Sequence, residues 1–243
     1  MSNILYLRVI SKKSLNTGKN GGIDMCGRYT LTLSLEELFV RYGVNPSSPL
    51  DHQPRYNISP SQMVMTIIND GQSNRIGKLR WGLIPSWAKN HKNSIINVRA
   101  ETMLEKFKVP TLRKRCLVPA NSFFEWMTTV EGKQPMRIML KSERVFSFAG
   151  IYDTWTTPDG QKTSGLAIVT TEPNPIVAEI HNRMPLILKP EDEVTWLNRD
   201  LQDPEVILSL VKPYDPKEMK AYPVSTIVGN VKNDSPDCIK ELV

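Results

Sequence analysis

Cysteine and histidine are both scarce in this chain of 243 residues, which holds three of each. Cys26, Cys116 and Cys238 are odd in number and far apart, so neither a disulfide framework nor a zinc module is expected. No metal and no other cofactor is predicted. Long apolar runs are missing as well. The stretch from Asn3 to Ile10 is interrupted by Arg8 and followed by Lys12 and Lys13, which argues against a membrane span or a secretory signal. No Gly-rich phosphate loop, HExxH or GxSxG pattern occurs, which removes the usual support for nucleotide hydrolysis, zinc proteolysis and lipase-like chemistry. Internal repeats and low-complexity tracts are also absent. A cytoplasmic protein with no membrane partner is therefore expected.

What is present is a hydrophobic content of 40%, enough for a substantial core, and a formal charge of +6. Half of that excess sits in the leader, where Arg8, Lys12, Lys13 and Lys19 face only Asp24. Beyond it 27 basic residues stand against 24 acidic ones. The balance fits an anionic partner without proving one. Residues 11–24 are polar, Gly-rich and without apolar period, whereas regular patterning starts after Met25. Residues 1–24 read as a disordered leader, and Gly21-Gly22 is encodable as a ribosome-binding sequence ahead of a start at Met25. Residues 25–243 form the expected domain.

Ser34 to Glu37 is a capping box ahead of an apolar face that Gly43 stops, which predicts a short helix. Pro46, Pro49, Pro54 and Pro60 then space an expected loop around Arg55-Tyr56-Asn57. Strands are predicted at 63–68, 136–140, 145–151 and 166–170. Short helices are predicted at 175–181, 191–197 and 205–211, the first capped by Asn174. Strands without regular strand-helix alternation exclude a doubly wound sheet. The expected class is α+β: a single β-rich domain with a mixed or antiparallel barrel-like sheet and short peripheral helices.

Some segments carry more functional side chains than a core needs. Taken singly, Cys26 reads as a small buried hydrophobe, Glu125 as the partner of an arginine, His181 as a helix-end charge, and Trp81 and Trp126 as core residues. Taken in order, MCGRYT, RYNISP, RWGLIPSWA, NVRAET, RCLVPANSFFEW, EIHNRMP and PVSTIVGNVKN run from Met25 to Asn233. In combination the chain resembles the SOS-response-associated peptidase (SRAP) family, which includes abasic-site crosslinking proteins.

The resemblance implies removal of Met25, leaving Cys26 at the N-terminus with an α-amine and a thiol side by side. Such an amine has a pKa of roughly 7.7 to 8 and can attack the aldehyde of a ring-opened abasic sugar, after which the thiol closes a thiazolidine. By the same resemblance Asn97 holds the sugar or the cysteine terminus, while Glu125 and His181 move protons. Arg28, Arg99 and Arg183 are expected to contact phosphates, and Trp81 to stack on or wedge beside a base. The implied partner is single-stranded DNA with abasic sites. The protein is expected to be monomeric, nucleoid-associated when bound, and close to replication-fork proteins. Two alternatives stay open: a thiol autopeptidase or peptidase, with lyase activity on DNA as a further outcome, and a noncovalent single-stranded DNA-binding module. The family usually has Asp after the motif histidine, where this chain has Asn182.

Overall fold

The capping box forms as its spacing requires. Ser34 Oγ accepts the Glu37 amide, and the Glu37 carboxylate accepts the Ser34 amide at 2.7 Å, satisfying two donors at the start of α1 (Leu35–Tyr42). Gly43 ends the helix at φ 59°, in the left-handed region that glycine enters without strain. The computed structural model describes residues 26–44, 49–89, 94–142, 144–157 and 159–242. The expected leader, residues 1–24, lies outside them.

The thirteen strands among the described residues build two layers. One layer is a closed barrel of β3 (Met63–Asn69), β4 (Asn74–Trp81), β6 (Arg115–Ala120), β9 (Phe146–Thr156) and β10 (Lys162–Thr171). Its order is β10-β4-β3-β6-β9, and β9 closes it by pairing back onto β10. Every pair is antiparallel except β4 with β10, so the barrel is mixed. That parallel junction explains one glycine. A Cβ on Gly165 would lie 2.3 Å from the Gly82 carbonyl oxygen, so only a residue without one lets the two backbones meet. The short strand β5 (Asn97–Arg99) runs parallel to β10 beyond the end of β4, pairing Asn97 with Ile168 and Arg99 with Thr170. Two further short strands, β11 (Met184–Pro185) and β12 (Ile187–Leu188), add to β10 and β9.

The second layer is an antiparallel sheet in the order β13-β8-β7-β1-β2, made of β1 (Tyr29–Leu31), β2 (Arg55–Ile58), β7 (Ser122–Thr129), β8 (Gly132–Leu140) and β13 (Met219–Pro223). It packs on the barrel through aromatic edges. Tyr29 and Phe123 of the sheet meet Phe148 of the barrel at centroid distances of 5.7 and 6.1 Å, and Tyr29 meets Trp81 at 5.4 Å. The chain crosses between layers at Asn121, whose amide donates to the Thr30 carbonyl and whose side chain accepts from Thr32. Short helices α2 (Ala100–Lys106), α3 (Lys108–Arg113), α4 (Pro175–Ala178), α5 (Pro190–Leu197) and α6 (Pro204–Ser209) lie outside the strands. Arg115 fastens α3 and α5 to the barrel. All five of its N–H groups donate to backbone carbonyls, those of Thr111, Leu112, Trp196, Asn198 and Leu201. Burial pushes its pKa down to about 10.

The α+β, barrel-like expectation therefore matches the architecture. The predicted loop at Arg55-Tyr56-Asn57 does not, since these residues form the edge strand β2. The Asp234 carboxylate, supplied from far along the chain, accepts the Tyr56 and Asn57 amides at 2.6 and 3.0 Å and so covers this edge. Asn174 caps α4 as predicted, but the helix is one turn, and residues 179–181 leave it. Among the described residues no helix is long and apolar enough to cross a membrane.

Candidate active site

The two layers meet around Cys26, which stands three residues ahead of β1 and is 4% exposed. Asn97, the first residue of β5, donates from Nδ2 to the Cys26 carbonyl at 2.8 Å. The Asn97 Oδ1 atom is buried and has no hydrogen-bond partner among the described residues. Glu125 comes from the sheet. Strand alternation puts it on the same face of β7 as Phe123, which packs on the barrel, while Phe124 joins Val224, Val228 and Cys238 on the other side. Glu125 is thus buried, at 4% exposure, on the side of β7 that faces the barrel.

His181 arrives from the barrel side after α4. Its Nδ1 lies 4.0 Å from Glu125 Oε2 and touches the backbone of Arg183. When Nδ1 carries no proton it accepts the Arg183 amide at 3.2 Å; when protonated it donates to the Arg183 carbonyl at 3.1 Å. That carbonyl also accepts the Cys26 thiol at 3.8 Å. Residue 183 therefore holds both reactive side chains through its main chain. One ligand-type atom from each of Cys26, Glu125 and His181 lies within 4.8 Å of the other two.

Electrostatics keep the sulfur neutral. Burial raises the Cys26 thiol well above its ordinary pKa, and the charge of Glu125 and a hydrogen bond to it raise it further. The four residues expected to carry chemistry, Cys26, Asn97, Glu125 and His181, are accordingly brought to one place. The residues expected to contact DNA divide differently. Arg99 is exposed, beside the site on β5. Arg28 spends its guanidinium inward, donating to Asn57 Oδ1 at 2.8 Å and to the Val228 carbonyl, with its charge over Trp126. Arg183 is clamped by the Glu101 carboxylate at 2.7 and 3.0 Å, and also donates to Thr170.

Trp81 is corrected outright. It is 1% exposed, its indole N–H donates to the Ile96 carbonyl at 2.9 Å, and its ring packs on Tyr29, so neither face is open to a base. The exposed aromatic in the same motif is Trp87, with 70% of its surface open. It lies on the excursion between β4 and β5, anchored where the Ser86 amide donates to Asp153 and Trp155 donates to the Ala88 carbonyl. Its setting in Pro-Ser-Trp, outside the strand pattern, was the available signal. Glu101, equally missed, follows Arg99 and Ala100 in the quoted NVRAET motif.

A mixed barrel capped by an antiparallel sheet, with a buried thiol, carboxylate and imidazole at their seam, defines a thiol-centred β-barrel protein. Residues 25–231 match the family model described as SOS response associated peptidase (SRAP), and the chain belongs to that family. The abasic site processing protein YoqW of Bacillus subtilis is 47% identical over 222 residues, spanning 89% of this chain and 99% of that protein. The abasic site processing protein HMCES of Gallus gallus is 30% identical over 77% of this chain and 66% of its own length. A solved structure from Bacteroides thetaiotaomicron superposes with a TM-score of 0.79 at 30% identity, covering 90% of this chain and all of that one.

Proposed function

We propose that this protein captures abasic sites in single-stranded DNA covalently, through Cys26 once Met25 has been removed. The convergence of Cys26, Glu125 and His181 within 4.8 Å in a buried niche carries the reading, and the names of the relatives agree with it. The neutral thiol leaves the α-amine as the first nucleophile. Amine and sugar aldehyde condense to an imine with loss of one water. The thiol then adds to the imine carbon: a carbon–sulfur bond forms, Glu125 receives the thiol proton, and a proton is returned to the ring nitrogen. His181 relays these protons. Asn97, fixed to the Cys26 carbonyl by its Nδ2, offers its Oδ1 to the amine or to a sugar hydroxyl.

Arg99 supplies a phosphate contact and Trp87 a stacking face for the unpaired strand. Ring closure also protects the strand, because an open imine can lose the 3′-phosphate by β-elimination, which is lyase activity. Cys26 follows the Met25–Cys26 peptide directly in the chain, which supports self-hydrolysis of that bond with consumption of one water. The working place that follows is the nucleoid, where replication forks expose single strands.

Denaturing electrophoresis tests the reading. A chain initiated at Met25, with Met25 removed, should give a denaturant-resistant band with a single-stranded oligonucleotide carrying one abasic site, and Cys26→Ala should abolish it. Retention that is equal on intact and abasic strands and lost in denaturant would overturn covalent capture in favour of a binding module.

A further inference from the structure

The seam niche holds a metal-ligand set as well as a reaction set. A thiol sulfur, a carboxylate oxygen and an imidazole nitrogen lie within 4.8 Å of one another. Cys26 and Glu125 are each 4% exposed, and the His181 side chain 12%. Zinc takes such ligands at about 2.0–2.3 Å, which sets tetrahedral neighbours roughly 3.5 Å apart, so side-chain rotations of about an ångström close the set. Thiolate and imidazole select zinc over magnesium or calcium. Once the thiol proton is displaced, thiolate and carboxylate place two negative charges in one niche. The guanidinium whose charge reaches Cys26, that of Arg183, is paired with Glu101.

We propose that Cys26, Glu125 and His181 bind Zn²⁺, and that the bound ion reversibly closes the capture site. Zn²⁺ displaces the thiol proton to solvent and no electrons move. The His181 nitrogen exchanges its Arg183 contact for the ion. Where Cys26 is the N-terminus its α-amine completes the set as a five-membered N,S chelate, a detail that rests on the capture reading above; otherwise water takes that position. An amine and a thiolate held by metal cannot attack an aldehyde or close a ring, so zinc and a lesion compete for the same atoms.

Cobalt reports the site without DNA. Titrating Co²⁺ into the full chain should produce a near-ultraviolet sulfur-to-cobalt absorption band that Zn²⁺ removes. Cys26→Ser should abolish that band, and His181→Ala should weaken Co²⁺ binding at least tenfold. No band, or a band unchanged in Cys26→Ser, overturns the site. A second arm mixes the chain beginning at Cys26 with abasic oligonucleotide, in chelator and in buffered Zn²⁺. Capture should slow at least tenfold in Zn²⁺ and recover in chelator. Capture indifferent to Zn²⁺ overturns the closure while leaving the capture reading intact. Absence of capture even in chelator overturns the capture reading alone, and the cobalt band then decides the metal site.

Discussion

Glu101→Gln separates two roles for Arg183. In the structure the Glu101 carboxylate grips both Arg183 nitrogens at 2.7 and 3.0 Å, while the Arg183 main chain holds the Cys26 thiol and the His181 ring. The carboxylate side chain is 53% exposed, so the pair contributes about 1 kcal/mol or less despite its bidentate geometry. If that energy serves to position residue 183, its loss slows capture up to roughly fivefold, since 1.36 kcal/mol corresponds to tenfold. The melting temperature should fall by about 2–4 °C at most. Single-turnover crosslinking to an abasic oligonucleotide, followed by denaturing electrophoresis, reads the rate. Should Arg183 instead be a phosphate contact held back by Glu101, the substitution would speed capture and steepen its salt dependence, by a slope of about 0.7 for one added contact. Faster, more salt-sensitive capture therefore refutes the positioning argument. Arg183 holds the Glu101 carboxyl below its usual pKa. The stabilisation is then present above the unfolded value and lost only as pH falls through the depressed folded one, so the effect of the substitution should persist across neutral pH.

Arg115→Lys tests the helix fastening. Lysine has three donors for five carbonyls, so at least two lose their partner at about 1–3 kcal/mol each, and calorimetry should show a melting temperature lower by roughly 5–20 °C. Capture per folded molecule should be unchanged. Trp87→Ala should weaken single-strand binding by about 1–3 kcal/mol with little change in melting, as for a lost stacking face. Trp81→Ala should instead destabilise the fold by about 3–5 kcal/mol, as for an emptied core position. Equal behaviour of the two would contradict their assignment. Because burial and Glu125 raise the Cys26 thiol, its alkylation by iodoacetamide should be slow at neutral pH and rise only well above the ordinary thiol value of about 8.5. Glu125→Gln should shift that rise to lower pH. An alkylation midpoint at or below the ordinary value would mean the sulfur is not desolvated.

Where one stretch of chain supplies both partners, the local sequence was sufficient. Ser34 and Glu37 cap each other three residues apart, Asn174 caps α4, and short apolar runs marked parts of β3, β8, β9 and β10. Features whose partners lie far away were not legible. Prolines around Arg55-Tyr56-Asn57 argued for a loop because Asp234, which secures that strand edge, is 177 residues from Asn57. Glu101 and Arg183 are 82 positions apart, so their pairing was not legible, and Arg183 was expected at a phosphate instead. Taken singly Trp81 read as core, as it is in the structure; what no spacing along β4 reveals is the parallel junction beside it, where Gly165 lets β10 meet the Gly82 carbonyl. The cluster of Cys26, Asn97, Glu125 and His181 was named through ordered motifs. Its geometry needed the crossing from barrel to sheet at Asn121.

The central claim is that a free backbone amine beside the Cys26 sulfur forms the bond to the lesion. Intact-mass measurement after mixing with an abasic oligonucleotide addresses it directly, comparing protein that begins at Cys26 with protein that retains the residues before it. The account predicts a species of protein plus oligonucleotide less one water, stable to denaturant, from the first protein only. The same adduct from both, or from neither, would contradict it.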